Sequence, residues 1–257
     1  MKNVAAWRET KYHRTPDGLV ASRDPNQVSP GSRLMVDLQA RAYLEALEAH
    51  ASGRLLDLGC GAVPLYSAYA ARVAEAVCVD WPGSMHDVTR HVDHFVDLSA
   101  EKLPFPDGTF DTVLATDVLE HIPVPEQVWA EMARVMKPGG RCIVGVPFLY
   151  WIHEEPHDYF RFTQYALQRS CAAVGLVSVD VQAIGGAPEV VLDVLGKALA
   201  DRPRRFAFVE RVGRRLLRTP GARRLSAATR EHSPLAYCFV ARKPDHGDVL
   251  ADRTVIA

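Results

Sequence analysis

From residue 54 onward, short apolar runs alternate with stretches whose apolar residues recur at helical spacing. The runs "RLLDLG" (54–59), "AEAVCVD" (74–80), "HFVDL" (94–98), "FDTVLATD" (110–117) and "RCIVGVPF" (141–148) have the length and bounding residues of buried strands. "GLVSVDVQAI" (175–184) and "LAYCFVARKP" (235–244) read the same way. Between them, "PEQVWAEMARVMKPGG" (125–140) has a helical pattern that opens near a proline, carries Arg134 and Lys137 late, and stops at Pro-Gly-Gly. Another helix is expected over about 163–174. A helix over 33–50 is expected to be capped by Ser32, with Leu34, Leu38, Tyr43, Leu44 and Leu47 near helical spacing. Strands alternating with helices predict an α/β fold, a mostly parallel sheet covered on both faces. The pattern alone leaves open whether the last strand runs antiparallel.

Two regions break the rhythm. Residues 1–32 hold turn formers ("TPDG", "RDPNQVSPG") and read as a loose arm over the domain. Residues 187–232 read as a helical insertion, which leaves 33–186 and 233–246 as the domain proper and 247–257 as a tail. Within 201–230, ten arginines stand against Asp201 and Glu210, a local net of +8 in a chain of net charge −1. Phe206, Phe208, Val209, Val212, Leu216 and Leu217 interleave with them. That is the composition of a basic amphipathic segment lying on an anionic membrane surface, and equally of a solvated helical insertion.

Composition narrows the class. At 257 residues and 48% hydrophobic content, the chain can bury one sizeable core. The near-zero net charge gives no argument for nucleic acid. The first residues lack a signal-peptide apolar core, and no apolar run has the length of a membrane span. Five cysteines (Cys60, Cys78, Cys142, Cys171, Cys238) form no C-x-x-C pair and sit mostly in apolar segments, as reduced residues of a cytoplasmic protein do.

The most informative stretch is "LLDLGCGAVPLY" (55–66). A strand ends at Asp57-Leu58-Gly59-Cys60-Gly61, and a helix is expected to follow. Glycines there allow a tight turn and close approach of a ligand to the backbone. Asp80 closes the next strand 19 residues after Gly61, a spacing that sets a carboxylate beside a nucleoside ribose. Ala62, Val63 and Pro64 replace the third glycine of a dinucleotide turn, and Asp57 would repel a pyrophosphate. A phosphate-free cofactor with a cationic group, such as S-adenosylmethionine, suits these residues better than a nicotinamide.

"LLDLGCG", "VCVDW", "LPFPDGTFDTVLATDVLEHIP" and "EMARVMKPGGRCIVGVPF" resemble, in order, the motifs of class I S-adenosylmethionine-dependent methyltransferases. The resemblance covers roughly 33–185 plus the last strand. It implies a Rossmann-like seven-stranded sheet with a final antiparallel strand, and S-adenosylmethionine as cofactor. It further implies that Asp57, Gly59 and Gly61 line the methionine and sulfonium end. Asp80 would hold the ribose, Trp81 would lie near the adenine, Asp97 and Leu98 at its edge, and Thr116 and Asp117 under the methionine. Glu120 and His121, which follow the fourth strand, would face the methyl end, with His121 either a base or a cofactor-side structural residue.

"WIHEEPHDYFRFT" (151–163) leaves the carboxyl end of the fifth main strand, where ligands of open α/β sheets bind. His153-Glu154-Glu155-Pro156-His157 spells H-E-x-x-H, but a zinc site of that kind needs both histidines on one helix. Pro156 would cost such a helix roughly 3 kcal/mol. No metal is expected. The stretch also resembles an H-x-x-P-x-D-x-x-R-[FYW]-T pattern in a subgroup of these enzymes from bacterial glycan and natural-product pathways. His153 is the first candidate general base, with His157 or Asp158 next; Arg161, three residues from Asp158, would brace the loop, with Tyr159 between them. The alternative is that Asp158 and Arg161 are a structural pair and His153 an ordinary loop residue.

The expected function is methyl transfer from S-adenosylmethionine to a hydroxyl of a sugar, glycan intermediate or natural product. The rivals are N-methylation of a small amine, which needs less help from a base, and a non-catalytic scaffold of the same fold held to a membrane face through 201–230. No N-P-P-[YF] tetrapeptide marks a nucleic-acid methyltransferase; "TDVL" stands at that place. Neither the acceptor nor the oligomeric state is written in the sequence.

Overall fold

The computed structural model describes residues 1–83 and 90–245; the tail expected over 247–257 lies outside the described residues. Seven strands form one sheet. Arg54–Leu58 (β3), Glu75–Asp80 (β4), His94–Phe95 (β5), Phe110–Thr116 (β6) and Met136–Pro147 (β7) are mutually parallel, and Ala236–Arg242 (β9) runs antiparallel between β7 and Val177–Ile184 (β8). The spatial order is β5-β4-β3-β6-β7-β9-β8. This is a Rossmann-like arrangement, and β9 is the antiparallel neighbour of β7. β3, β6 and β7 are buried over nearly their whole length, as strands covered on both faces must be.

One face of the sheet packs against Pro125–Val135 (α3) and Gln164–Ala173 (α4) through Val128, Trp129, Met132, Leu167 and Cys171. The other face packs against Arg33–His50 (α1), the N-terminal arm and the segment after the glycine turn, through Tyr12, Tyr43, Leu47 and Tyr69. The arm is folded: Tyr12–Thr15 (β1) and Gly18–Ala21 (β2) make a hairpin against α1, with Tyr12, Leu19, Ala21 and Val28 buried.

Several boundaries differ from expectation for local reasons. The buried stripe of α1 is Met35, Val36, Gln39, Ala40, Tyr43 and Leu47, so Leu34, Leu38 and Leu44 lie at its margins. Ser32 takes the N-cap position of this helix, but its side chain makes no capping hydrogen bond; its hydroxyl meets the Tyr150 hydroxyl at 2.9 Å. The helix after the glycine turn is only Tyr66–Tyr69 (α2). Val63, at φ 54°, and Pro64 prolong the turn before it can begin. α3 ends at Val135, because Met136 already pairs with Phe110 and the residue before Pro138 disfavours helix.

Residues 187–232 fold as Ala187–Ala198 (α5), Pro203–Leu217 (α6) and Pro220–Thr229 (α7). α6 packs on α5 at Gly213, where a Cβ would overlap Leu192. Among the described residues, no helix is long and apolar enough to cross a membrane.

Candidate active site

Because β3, β4, β6 and β7 are parallel, their C-terminal ends open on one edge of the sheet. The glycine turn, Asp80, residues 117–121 and the loop after β7 therefore share that edge. Gly59 and Gly61 have φ of 61° and 51°, the left-handed region. A Cβ at Gly59 would also overlap Val118, so that glycine lets the turn lie against the end of β6.

Asp80 is buried and accepts the N–H of Gly61 at 3.1 Å and that of Trp81 at 2.8 Å. Trp81 is exposed, and its ring lies edge-on to His157 at 5.4 Å. Asp97 accepts the Ser99 N–H at 2.9 Å just past β5, and Leu98 is buried beside it. Asp57 lies beneath the turn, accepting the Tyr69 hydroxyl at 3.0 Å, and burial pushes its carboxyl up to about 7.

Thr116 ends β6, and Asp117 follows at φ 56°. The Asp117 carboxylate accepts from Lys11 Nζ at 2.7 Å, Gln39 Nε2 at 2.8 Å and the Tyr43 hydroxyl at 3.2 Å. Burial opposes both charges, but the pairing outweighs it. Asp117 is held below its ordinary value and Lys11 above its own. The arm and α1 are thus fastened to the end of β6. The sequence reading missed Lys11, Gln39 and Tyr43. A signal existed for Gln39, a polar residue in the middle of the apolar stripe of α1.

The loop from 148 to 163 has no regular structure. Arg161 organises it. Its guanidinium grips Asp158 with both terminal nitrogens, at 2.5 and 2.7 Å, and donates to the carbonyls of Tyr150 and Trp151. The Asp158 carboxyl is buried, yet Arg161 and the His153 N–H bring it down to about 2. His153 Nδ1 lies 3.2 Å from Asp158 Oδ2, out of line for a hydrogen bond, so this contact is electrostatic. Burial lowers the His153 pKa despite that neighbour, which keeps the imidazole neutral. His157 Nδ1 meets the Tyr159 hydroxyl at 3.1 Å.

The loop docks on the end of β6. Tyr159 N–H donates to the Glu120 carbonyl at 2.8 Å, and His121 Nδ1 to the His157 carbonyl at 2.7 Å. The His121 and His153 rings are 4.8 Å apart, edge to face. Glu120 is wholly buried between them. Neither of its carboxyl oxygens has a hydrogen-bond partner, and burial together with the Asp117 charge raises its pKa well above the carboxylate range.

Residues 56–144 match a family model described as a methyltransferase domain. An uncharacterized methyltransferase of Mycobacterium avium is 36% identical over 110 residues, covering 41% of this chain and 43% of the relative. A ubiquinone/menaquinone biosynthesis C-methyltransferase of Stutzerimonas stutzeri is 36% identical over 119 residues, covering 42% and 46%. The chain thus spans less than half the length of the curated relatives it matches. The solved structure of a SAM-dependent methyltransferase from Archaeoglobus fulgidus superposes with a TM-score of 0.53 at 16% identity, covering 81% of this chain and 93% of that one, a likeness of fold. The turn fits the cofactor of that class, since Gly59 and Gly61 leave its backbone bare and Asp80 sets a carboxylate beside Gly61. Residues 56–144 match a methyltransferase domain, the chain around them has the Rossmann-like fold of such enzymes, and the cofactor that goes with that domain is S-adenosylmethionine.

Proposed function

We propose that this protein transfers a methyl group from S-adenosylmethionine to a hydroxyl of a sugar, glycan intermediate or natural product. The observation that carries this reading is His153, a neutral imidazole backed by the Asp158 carboxylate and set on the same sheet edge as the glycine turn. When bound, the cofactor supplies an electrophilic methyl on a sulfonium. Asp80 would accept protons from the ribose hydroxyls, and Trp81 would flank the adenine. Alignment of the acceptor is the protein's first task, and removal of the hydroxyl proton its second. His153 Nε2 would take that proton, while Asp158 and Arg161 hold the ring in place.

Calorimetry with S-adenosylmethionine and its demethylated product tests the foundation; absence of binding to either sinks the reading. Asp80→Asn should weaken cofactor binding by roughly 10- to 100-fold, the worth of one or two hydrogen bonds to a charged group. His153→Ala should leave that affinity unchanged and lower kcat by roughly 10²- to 10⁴-fold. Turnover that survives the substitution would instead favour an amine acceptor.

One observation favours membrane attachment as well. α6 buries none of its residues fully, and Phe208 and Leu216 are 68% and 58% exposed among arginines. Sedimentation with anionic vesicles, with neutral vesicles as reference, should show salt-sensitive binding that Phe208→Asp abolishes. Equal sedimentation of that variant rejects the attachment and leaves the methyl-transfer reading untouched.

A further inference from the structure

We infer that Glu120, His121 and His153 form a binding site for a divalent transition-metal cation at the C-terminal end of β6. Among the described residues, their ligand-type atoms converge within 4.8 Å of one another. Glu120 Oε1 lies 3.8 Å from His121 Nε2 and 3.9 Å from His153 Nε2.

The protons decide what occupies the middle. His121 Nδ1 faces the His157 carbonyl oxygen, which can only accept, so the ring carries its hydrogen there. His153 Nδ1 faces Asp158, whose two carboxyl oxygens both accept from the Arg161 guanidinium and so offer no proton. Both rings therefore turn a bare Nε2 lone pair toward carboxylates, His153 toward Glu120 and His121 toward Glu120 and, at the same 3.8 Å, Glu154. The Glu120 side chain is 0% exposed, and neither oxygen has a donor. Three acceptors that face one another, the carboxyl among them wholly buried and without a donor, need a proton or a cation between them.

The surroundings favour the cation. The His121 ring is fixed from behind by its hydrogen bond to the His157 carbonyl, and the His153 ring has the Asp158 carboxylate behind it in electrostatic contact; outer oxygens of this kind orient histidine ligands and raise their basicity. Arg161 fixes Asp158 in turn. Two nitrogens and one carboxylate oxygen suit zinc, iron, cobalt or manganese rather than magnesium or calcium. Bonds of about 2.1 Å would set tetrahedral ligands about 3.4 Å apart, so the side chains must close by up to about 1.4 Å. A fourth position would remain for water or for the acceptor. The H-E-x-x-H reading of the loop has no part in this site, since His157 contributes its carbonyl and not its ring.

The site deepens the methyl-transfer reading and rests on it in one respect only. A cation held by His153 Nε2 would take over from the free imidazole in activating the acceptor hydroxyl, by lowering its pKa where the imidazole would accept its proton.

The test uses the full chain, stripped with a chelator and titrated with Co²⁺ while visible absorption is recorded. One saturable equivalent, displaced by Zn²⁺, is expected. Glu120→Gln and His121→Asn should each weaken it by about 100-fold or more, beyond what loss of an outer partner costs. Thermal unfolding checks that the variants are folded, and if Glu120→Gln is not, His121→Asn decides. Absence of a saturable spectrum, or equal binding by a folded variant, overturns the site and assigns the central position to a proton. Cofactor binding without Co²⁺ binding rejects the metal alone, and Co²⁺ binding without cofactor binding rejects methyl transfer alone.

Discussion

Gly145→Ala is expected to destabilise the protein by about 2–5 kcal/mol, as overpacking in a rigid core adds to a broken buried hydrogen bond. Gly145 lies in β7, between β6 and β9, opposite Thr116 and Cys238. A Cβ there would overlap the hydroxyl and ring of Tyr43, which is fully buried in α1. Tyr43 cannot move outward without parting from Gln39 and Asp117. The substitution should thus loosen the join between α1 and the end of β6 as well as the core. Urea unfolding with and without Tyr43→Phe measures this. Removing the hydroxyl relieves part of the overlap, so Tyr43→Phe should cost less on the alanine background than alone. A Gly145→Ala protein within about 0.5 kcal/mol of the parent would show that the strand yields freely.

Asp193→Ala should cost about 3–5 kcal/mol, because it strands a buried ammonium. Asp193 and Lys197 form an ion pair one turn apart on α5, with side chains 1% and 3% exposed. Burial raises the Asp193 pKa and lowers that of Lys197, which shows how poorly water reaches the pair. The Lys197 nitrogen also sits 3.9 Å from the centre of the Tyr150 ring, and Tyr150 reaches Ser32 at the start of α1. The pair therefore ties α5 to the loop after β7 and to the arm. Asp193→Leu with Lys197→Met should recover most of the loss, since a well-packed apolar pair of similar volume avoids the desolvation cost. Equal destabilisation of the single and double variants, read by chemical denaturation, would mean that packing and not charge governs this position.

The fold was legible where the code is local. Buried strands covered on both faces write themselves as apolar runs, and a positive φ at the turn demands glycine at positions 59 and 61. The antiparallel placement of β9 was not legible from pattern, because an apolar run carries no direction; only the family resemblance implied it. The brevity of α2 was written in Val63-Pro64 but overridden in the reading by the expectation of a helix after the turn. At the site, Asp80 stood out by its spacing. The fastening of Asp117 did not, since Lys11 and Gln39 lie 106 and 78 residues away and nothing local links them. Glu120 could be placed after β6, but its lack of any donor is a property of three segments packed together.

The position of β9 has a consequence for the order in which the chain can assemble. β7 pairs with β9 along Arg141–Pro147, and β8 joins the sheet only through β9. At about 5–20 residues per second, translation from Pro147 to Ala236 takes roughly 4–18 s. Throughout that interval one edge of β7 has no partner, and β8 has no sheet to join. The arginine-rich helices α6 and α7 are made late in this wait, and like charge on them would oppose the meeting of two unfinished copies. Length between β8 and β9 costs little at equilibrium, because closure entropy grows only logarithmically. Its cost is time spent with an open edge, so replacing the exposed arginines of 201–230 by glutamine at unchanged length should raise aggregation during synthesis more than it changes the stability of the finished protein.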